Sequence, residues 1–157
     1  MSDLASFDAL LAPLISFLAE CDPKDRTLAR TLAARFPVDG PELRAIAAAF
    51  TAGVDGGWLC GRDGGPGVKY SRVRKATTPD ALSVEAVRMD REGPGHLHPN
   101  GEIDLCFATG GDPRFDGHAA GWVVYPPGTW HVPTVTGGSM DILYFLPGGA
   151  IEFGPKK

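Results

Sequence analysis

At 157 residues the chain is long enough to build one domain with a real core, and its hydrophobic fraction of 43% is ordinary for a soluble globular protein. Fifteen basic against 19 acidic residues leave a net charge of −4 with no basic run, which argues against nucleic acid and anionic membrane as partners. No apolar run is long enough to span a bilayer.

The chain opens with MSDLASFDALL, acidic where a secretory signal needs a positive start, so no export signal is expected. Residues 1–55 read as about three helices. Leu4, Phe7, Leu11, Leu14 and Leu18 form one apolar stripe, with Ser2 as N-cap and Pro13 predicting a kink or restart. A second helix is expected from DPKD, with Asp22 as N-cap, Pro23 at the first position and Asp25 in the first turn. Its stripe is Leu28, Leu32 and Phe36, and Pro37 stops it. A third runs from Pro41 through Leu43, Ile46, Ala47 and Phe50 to Gly53. From Gly56 the period changes to two. WLCG, VKYSRVRK, LSVEAVRM, EIDLCFA, GWVVYP, HVPTV and DILYFL are short, rich in β-branched or aromatic residues, and bounded by Gly, Pro or Asp. The expectation is a mainly β domain, an antiparallel sandwich or barrel over 56–157, with the helices on its outside or at a subunit contact. Cys21, Cys60 and Cys106 are too far apart and too few for a disulfide framework or a CxxC site, which fits a reducing cytoplasm.

All four histidines fall between residues 96 and 131. His96 and His98, at i and i+2 on a strand, face one side. Pro99-Asn100-Gly101 is a turn sequence, with Glu102 directly after it, and YPPGTWH ends on His131. Neutral imidazoles and one carboxylate around a cavity are what a borderline divalent metal takes, with a position left for water or substrate. Each residue alone has a plainer fate: a solvated strand face for the HxH pair, a surface turn for Glu102, packing beside Trp130 for His131. Together their spacing resembles the cupin pattern. HLHPNGE is similar to the first cupin motif, HxH, then three residues, then Glu. PPGTWH is similar to the second, PxGxxH, with Gly121 near a further glycine of that motif. The resemblance implies a cupin-type antiparallel β-barrel, or jelly roll, in which His96, His98, Glu102 and His131 hold one divalent metal ion (Fe, Mn, Ni or Zn), and a homodimer.

Longer stretches, AVRMDREGPGHLHPNGEIDLCF, DPRFDGHAAGWVVYPPGTWHVPTVTGG and ILYFLPGGAIEF, resemble the 4-hydroxylaminobenzoate lyase family. That resemblance implies conversion of 4-hydroxylaminobenzoate to 3,4-dihydroxybenzoate with release of ammonia. A cupin oxygenase acting on a small aromatic acid, and a non-catalytic ligand-binding or sensor module, are the alternatives. Against the sensor, ELRAIAAAF lacks the basic face of a DNA-reading helix.

Further positions are candidates around the metal. Asp104 alternates with Glu102 and is either a general base, a partner fixing a histidine tautomer, or an ordinary hydrogen-bonded barrel residue. Cys106, next on that face, reads as a small buried hydrophobe, and His118 in DGHAAG as exposed. An aromatic carboxylate needs a charge partner, for which Arg88 is the first choice, with Arg72 and Arg74, alternating on the preceding strand, behind it. Glu85, three residues from Arg88, should face the opposite side. Tyr125 and Tyr144 are possible hydrogen-bond donors to substrate.

Overall fold

Two long strands set the architecture. A computed structural model describes residues 3–156, among which three helices precede nine strands. The helices are α1 (Leu4–Ala19), α2 (Leu28–Arg35) and α3 (Pro41–Asp55). The strands are β1 (Arg62–Asp63), β2 (Val68–Arg74), β3 (Leu82–Met89), β4 (His96–His98), β5 (Glu102–Phe115), β6 (Gly121–Tyr125), β7 (Thr129–His131), β8 (Val135–Pro147) and β9 (Glu152–Phe153). Six strands form one antiparallel sheet in the order β1-β2-β3-β8-β5-β6, and three form a second in the order β7-β4-β9. The expected barrel is therefore built as two antiparallel sheets rather than one sheet closed on itself.

The large sheet is buried on both faces. Val68, Val87, Met89, Cys106, Met140, Ile142 and Tyr144 pack together on the side toward the small sheet. On the other side Val84, Ala86, Ile103, Leu105, Leu143 and Phe145 share a core with Phe7, Leu11, Leu32, Leu43 and Phe50 of the helices. Each such Leu or Phe contributes about 1.5–3 kcal/mol when taken out of water, so the helices are held by their apolar stripes. Burial on both faces also explains why Glu102–Phe107 and Met140–Leu146 are buried without a break. No helix among the described residues is long and apolar enough to cross a membrane.

Local chemistry moves several boundaries from where the sequence pattern put them. Ser2 lies outside the described residues, and Asp3 caps α1, accepting from the Ser6 amide at 2.8 Å. α1 runs unbroken through Pro13, which sits on the exposed side together with Ala9, so the carbonyl that loses its partner there is on the wet face. α2 starts at Leu28, not at Asp22. Asp22 accepts from the Lys24 amide at 2.9 Å and Asp25 from the Thr27 amide at 2.9 Å, so both side chains hold turns instead of opening a helix. WLCG is a bend rather than a strand, with Cys60 at φ +56° and its amide donating to Ser71 Oγ at 2.7 Å.

The arginines divide between the two faces of the large sheet. A register shift between Arg72 and Arg74 breaks their alternation. Arg72 stays on the cavity side, where it meets Glu85 at 2.8 Å, and Arg74 turns to Asp8 of α1 at 2.7 Å. Arg88 does not reach the cavity. It shares the helix-facing side with Ala86, and its guanidinium forks onto Asp141 at 2.7 and 2.9 Å. That pairing, together with Glu85 on the opposite face, removes Arg88 as the partner of a substrate carboxylate. Asp141 is 1% exposed, so Arg88→Ala is expected to strand a buried charge and lower stability by about 3 kcal/mol. A urea midpoint that falls while metal content stays at the wild-type level is the result to look for.

Candidate metal centre

His96 and His98 stand on β4, and His131 lies directly across from His96 on β7. Glu102 opens β5 in the other sheet, so the four side chains bridge the two layers. The loop between β4 and β5 is drawn tight: the Gly101 amide donates to the His98 carbonyl at 3.2 Å, and the Gly128 amide of the PPGTWH turn donates to the same oxygen at 2.8 Å. Gly101 has φ +88°, and a Cβ there would lie 2.7 Å from Pro23 and 2.9 Å from the Tyr125 carbonyl. Gly128, at φ +81°, likewise occupies a conformation that suits glycine.

One donor atom from each of His96, His98, Glu102 and His131 lies within 4.8 Å of the others. His98 Nε2 is 2.9 Å from Glu102 Oε2, His96 Nε2 is 3.5 Å from Oε1, and His131 Nε2 is 3.5 Å from Oε2. The partners behind the rings assign two tautomers. His96 Nδ1 is 3.2 Å from the Pro94 carbonyl, a pure acceptor, so this nitrogen carries the proton. His98 Nδ1 is 3.0 Å from Thr129 Oγ1, whose own proton goes to the Pro126 carbonyl at 2.7 Å, so Nδ1 donates here too. Both rings turn a bare Nε2 toward Glu102. Although they are close, His98 Nε2 and both Glu102 oxygens find no hydrogen-bond partner of acceptable direction among the described residues. Buried lone pairs that converge without satisfying one another are what a divalent cation with nitrogen and oxygen ligands resolves, so these residues fit a metal.

Burial pushes the Glu102 carboxyl up, but the imidazoles of His131, His96 and His98 outweigh it and hold the group well below the usual carboxylate range. Burial lowers His131, while Asp116 and Glu102 raise it, to about 9. Asp104 follows Glu102 on the inner face of β5, fully buried, with both oxygens unpartnered among the described residues. Burial and the neighbouring Glu102 charge push its carboxyl well above the ordinary range, so it is held neutral. Burial, then Asp104 and Glu102, do the same to the Cys106 thiol, which makes it an unreactive core residue.

Beside His96 a cavity of about 440 Å³ opens between the sheets, walled by Val68, Val87, Met89, Tyr144 and Phe153, with Arg72 and Glu85 among its polar residues. Tyr144 stands in register between Glu85 and Asp104. Its hydroxyl reaches Met89 Sδ at 3.8 Å, a weak acceptor, and burial, then the charge of Glu102, keep it protonated. Tyr125 is differently placed from the sequence expectation: its ring stacks on His98 at 5.4 Å and its hydroxyl donates to Asp116. His118 is exposed. Asp116 and Thr129, which touch the imidazoles of His131 and His98, escaped the sequence reading. Thr129 lies inside the second motif, whereas Asp116 sits in an Asp-Gly pair that signals a turn and nothing more.

A family profile described as PnbB, 4-hydroxylaminobenzoate lyase, matches residues 10–153. A 4-hydroxylaminobenzoate lyase of Pseudomonas putida is 28% identical over 168 aligned positions, covering 93% of this chain and 94% of its own. A 4-hydroxylaminobenzoate lyase of Nocardioides sp. (strain LMS-CY) is 30% identical over 119 positions, covering 69% of this chain and 70% of its own. Among solved structures, an RmlC-like cupin protein from Ralstonia eutropha JMP134 overlaps 63% of this chain and 67% of its own, with a TM-score of 0.47 and 16% identity.

A metal bound at this centre would compete with a proton at His131. Since the metal-free protein holds a proton there up to about pH 9, binding of Zn²⁺ should release it below that pH. Affinity should climb with pH, by about tenfold per unit where this one proton controls it, and level off above about 9. Chelator competition across pH 7–10 measures the slope, and a flat profile contradicts the assignment.

Proposed function

Because the chain belongs to the 4-hydroxylaminobenzoate lyase family, we propose that it is a metal-dependent lyase that converts 4-hydroxylaminobenzoate, or a related arylhydroxylamine acid, to 3,4-dihydroxybenzoate and ammonia. The observation that carries the reading is the convergence of His96, His98, Glu102 and His131, with His96 also lining a largely apolar cavity whose volume of about 440 Å³ has room for one aromatic ring. The balance needs one water and no oxidant. The N–O bond takes up the two electrons that the ring loses as it gains a second oxygen, and nitrogen leaves as ammonia.

His96, His98, Glu102 and His131 would hold the ion. When bound, it supplies Lewis acidity toward the oxygen or nitrogen of the hydroxylamino group. The remaining work falls to the chain. The walls of Val68, Val87 and Met89 accept the flat ring and exclude bulk water. Tyr144, whose hydroxyl lacks a strong partner, is placed to donate to an oxygen of the reacting end. Asp104 keeps a neutral carboxyl across from Tyr144 and is able to store or release a proton. Arg72 is the arginine among the described residues lining the cavity, so it replaces Arg88 as the partner of the substrate carboxylate. On this reading the substrate takes over from Glu85, which neutralises Arg72 in the free enzyme.

An anaerobic assay separates this reading from the dioxygen-dependent one. Purified protein given 4-hydroxylaminobenzoate under argon should release ammonia and 3,4-dihydroxybenzoate in equal amounts, and an absolute need for dioxygen would favour the oxygenase instead. His98→Ala is expected to lose bound metal and activity together, by more than the roughly 10–100-fold that outer partners of ligands cost, and to keep its fold. Full activity in a metal-free variant would make the chemistry metal-independent. Arg72→Ala should raise KM for the acid by roughly tenfold, the worth of a charged hydrogen bond, and leave an uncharged amide analogue nearly unaffected. Equal losses on both would show that Arg72 shapes the cavity mouth only.

A further inference from the structure

The geometry points to Asp116 as a positioning residue that selects the tautomer of His131 and so decides whether the third imidazole faces the centre as a ligand. Asp116 follows β5 at the turn into β6, at φ +48°, and lies on no element of the metal motifs. One of its oxygens, Oδ2, is 2.6 Å from His131 Nδ1 and also takes the hydroxyl of Tyr125. The other, Oδ1, accepts the Thr134 amide at 2.9 Å, and the Asp116 amide returns a bond to the Thr134 carbonyl at 2.9 Å. The carboxylate is thus oriented by the backbone just before β8 and can meet His131 only as an acceptor.

An acceptor at Nδ1 requires the proton of neutral His131 to sit there. Nε2 is then bare, and it lies 3.2 Å from His96 Nε2. His96 is itself fixed with its proton on Nδ1 by the Pro94 carbonyl. Two bare nitrogens at that separation repel each other unless a proton or a metal cation lies between them. With the proton moved to His131 Nε2, the same contact becomes an ordinary hydrogen bond and the ligand is lost. Asp116 therefore holds the third ligand in its metal-accepting form, the role that a carbonyl plays for His96 and a hydroxyl for His98. The bond from Tyr125 ties the same carboxylate to the ring stacked on His98.

The simpler role for Asp116 is an anchor for the hairpin through Thr134. Asp116→Asn separates the two. The amide has a single acceptor oxygen, so it can satisfy the Thr134 amide or His131 Nδ1, and whichever it leaves meets an NH₂ group. Zn²⁺ affinity, measured by chelator competition on the full chain, is expected to fall about 10–100-fold in Asp116→Asn and to stay within about threefold in Tyr125→Phe, which leaves the His131 bond in place. Unchanged Zn²⁺ affinity in Asp116→Asn, or an equal fall in Tyr125→Phe, would overturn the proposal. A readout independent of any variant is ¹⁵N NMR of the wild-type protein, histidine-labelled and loaded with Zn²⁺. His131 should show a proton on Nδ1 that exchanges slowly and a metal-shifted Nε2. Ligation through Nδ1, or His131 unligated, would sink the assignment even if Asp116→Asn fails to fold.

Discussion

The structure turns on one fully buried carboxylate. Glu102 sits at 0% exposure between the two sheets, in a place where an ionised group is costly unless charge meets it there. Three imidazoles meet it, two from β4 and one from β7, and they come from the sheet that Glu102 does not belong to. The electrostatic demand of a single side chain therefore ties the small sheet to the large one. A proton on His131 or a cation among the four groups meets that demand in the same space, which is why folding, protonation and metal binding are linked at this point.

Around that centre polarity is rationed. Beside Glu102, one polar row crosses the inner face of the large sheet through Arg72, Glu85, Tyr144 and Asp104. From the open end to the closed end the row passes from an exposed ion pair, through a protonated phenol, to a neutral carboxyl. With neighbouring strands about 4.8 Å apart, Arg72 and Tyr144 stand roughly 10 Å apart along the row, a span suited to a flat molecule with different chemistry at its two ends. The outer face carries its own buried charge, Asp141, and answers it locally with Arg88. The helices close over that side, so the sheet is a wall with a reactive face and a structural face.

Much of this was legible in the residues themselves. The change from helical to alternating periodicity near residue 56 reflects how side chains project from each kind of backbone, and it located the three helices and most strands. HLHPNGE and PPGTWH were readable because a ligand set constrains spacing: two histidines at i and i+2 share a strand face whatever surrounds them. The Pro99-Asn100-Gly101 turn could be read from its own φ requirements. These are local properties, carried by a few neighbouring residues.

Where the sequence reading went astray, contacts between distant segments decided the outcome. The sequence put Arg88 ahead of Arg72 as the partner of a carboxylate, and only the pairing of β3 with β8 shows that Arg88 already has Asp141, 53 residues away, on the far face. The register shift after Arg72 has no marker in VKYSRVRK, yet it sends Arg74 to a helix. Tyr125 looked free to serve substrate until the β5–β6 turn placed Asp116 against its hydroxyl. An amino-acid sequence specifies which groups can bind a metal, donate a proton or pair a charge. Which of them are left without a partner, and so remain available to a ligand, depends on neighbours brought together across the chain, and that is set only when the sheets pair and pack.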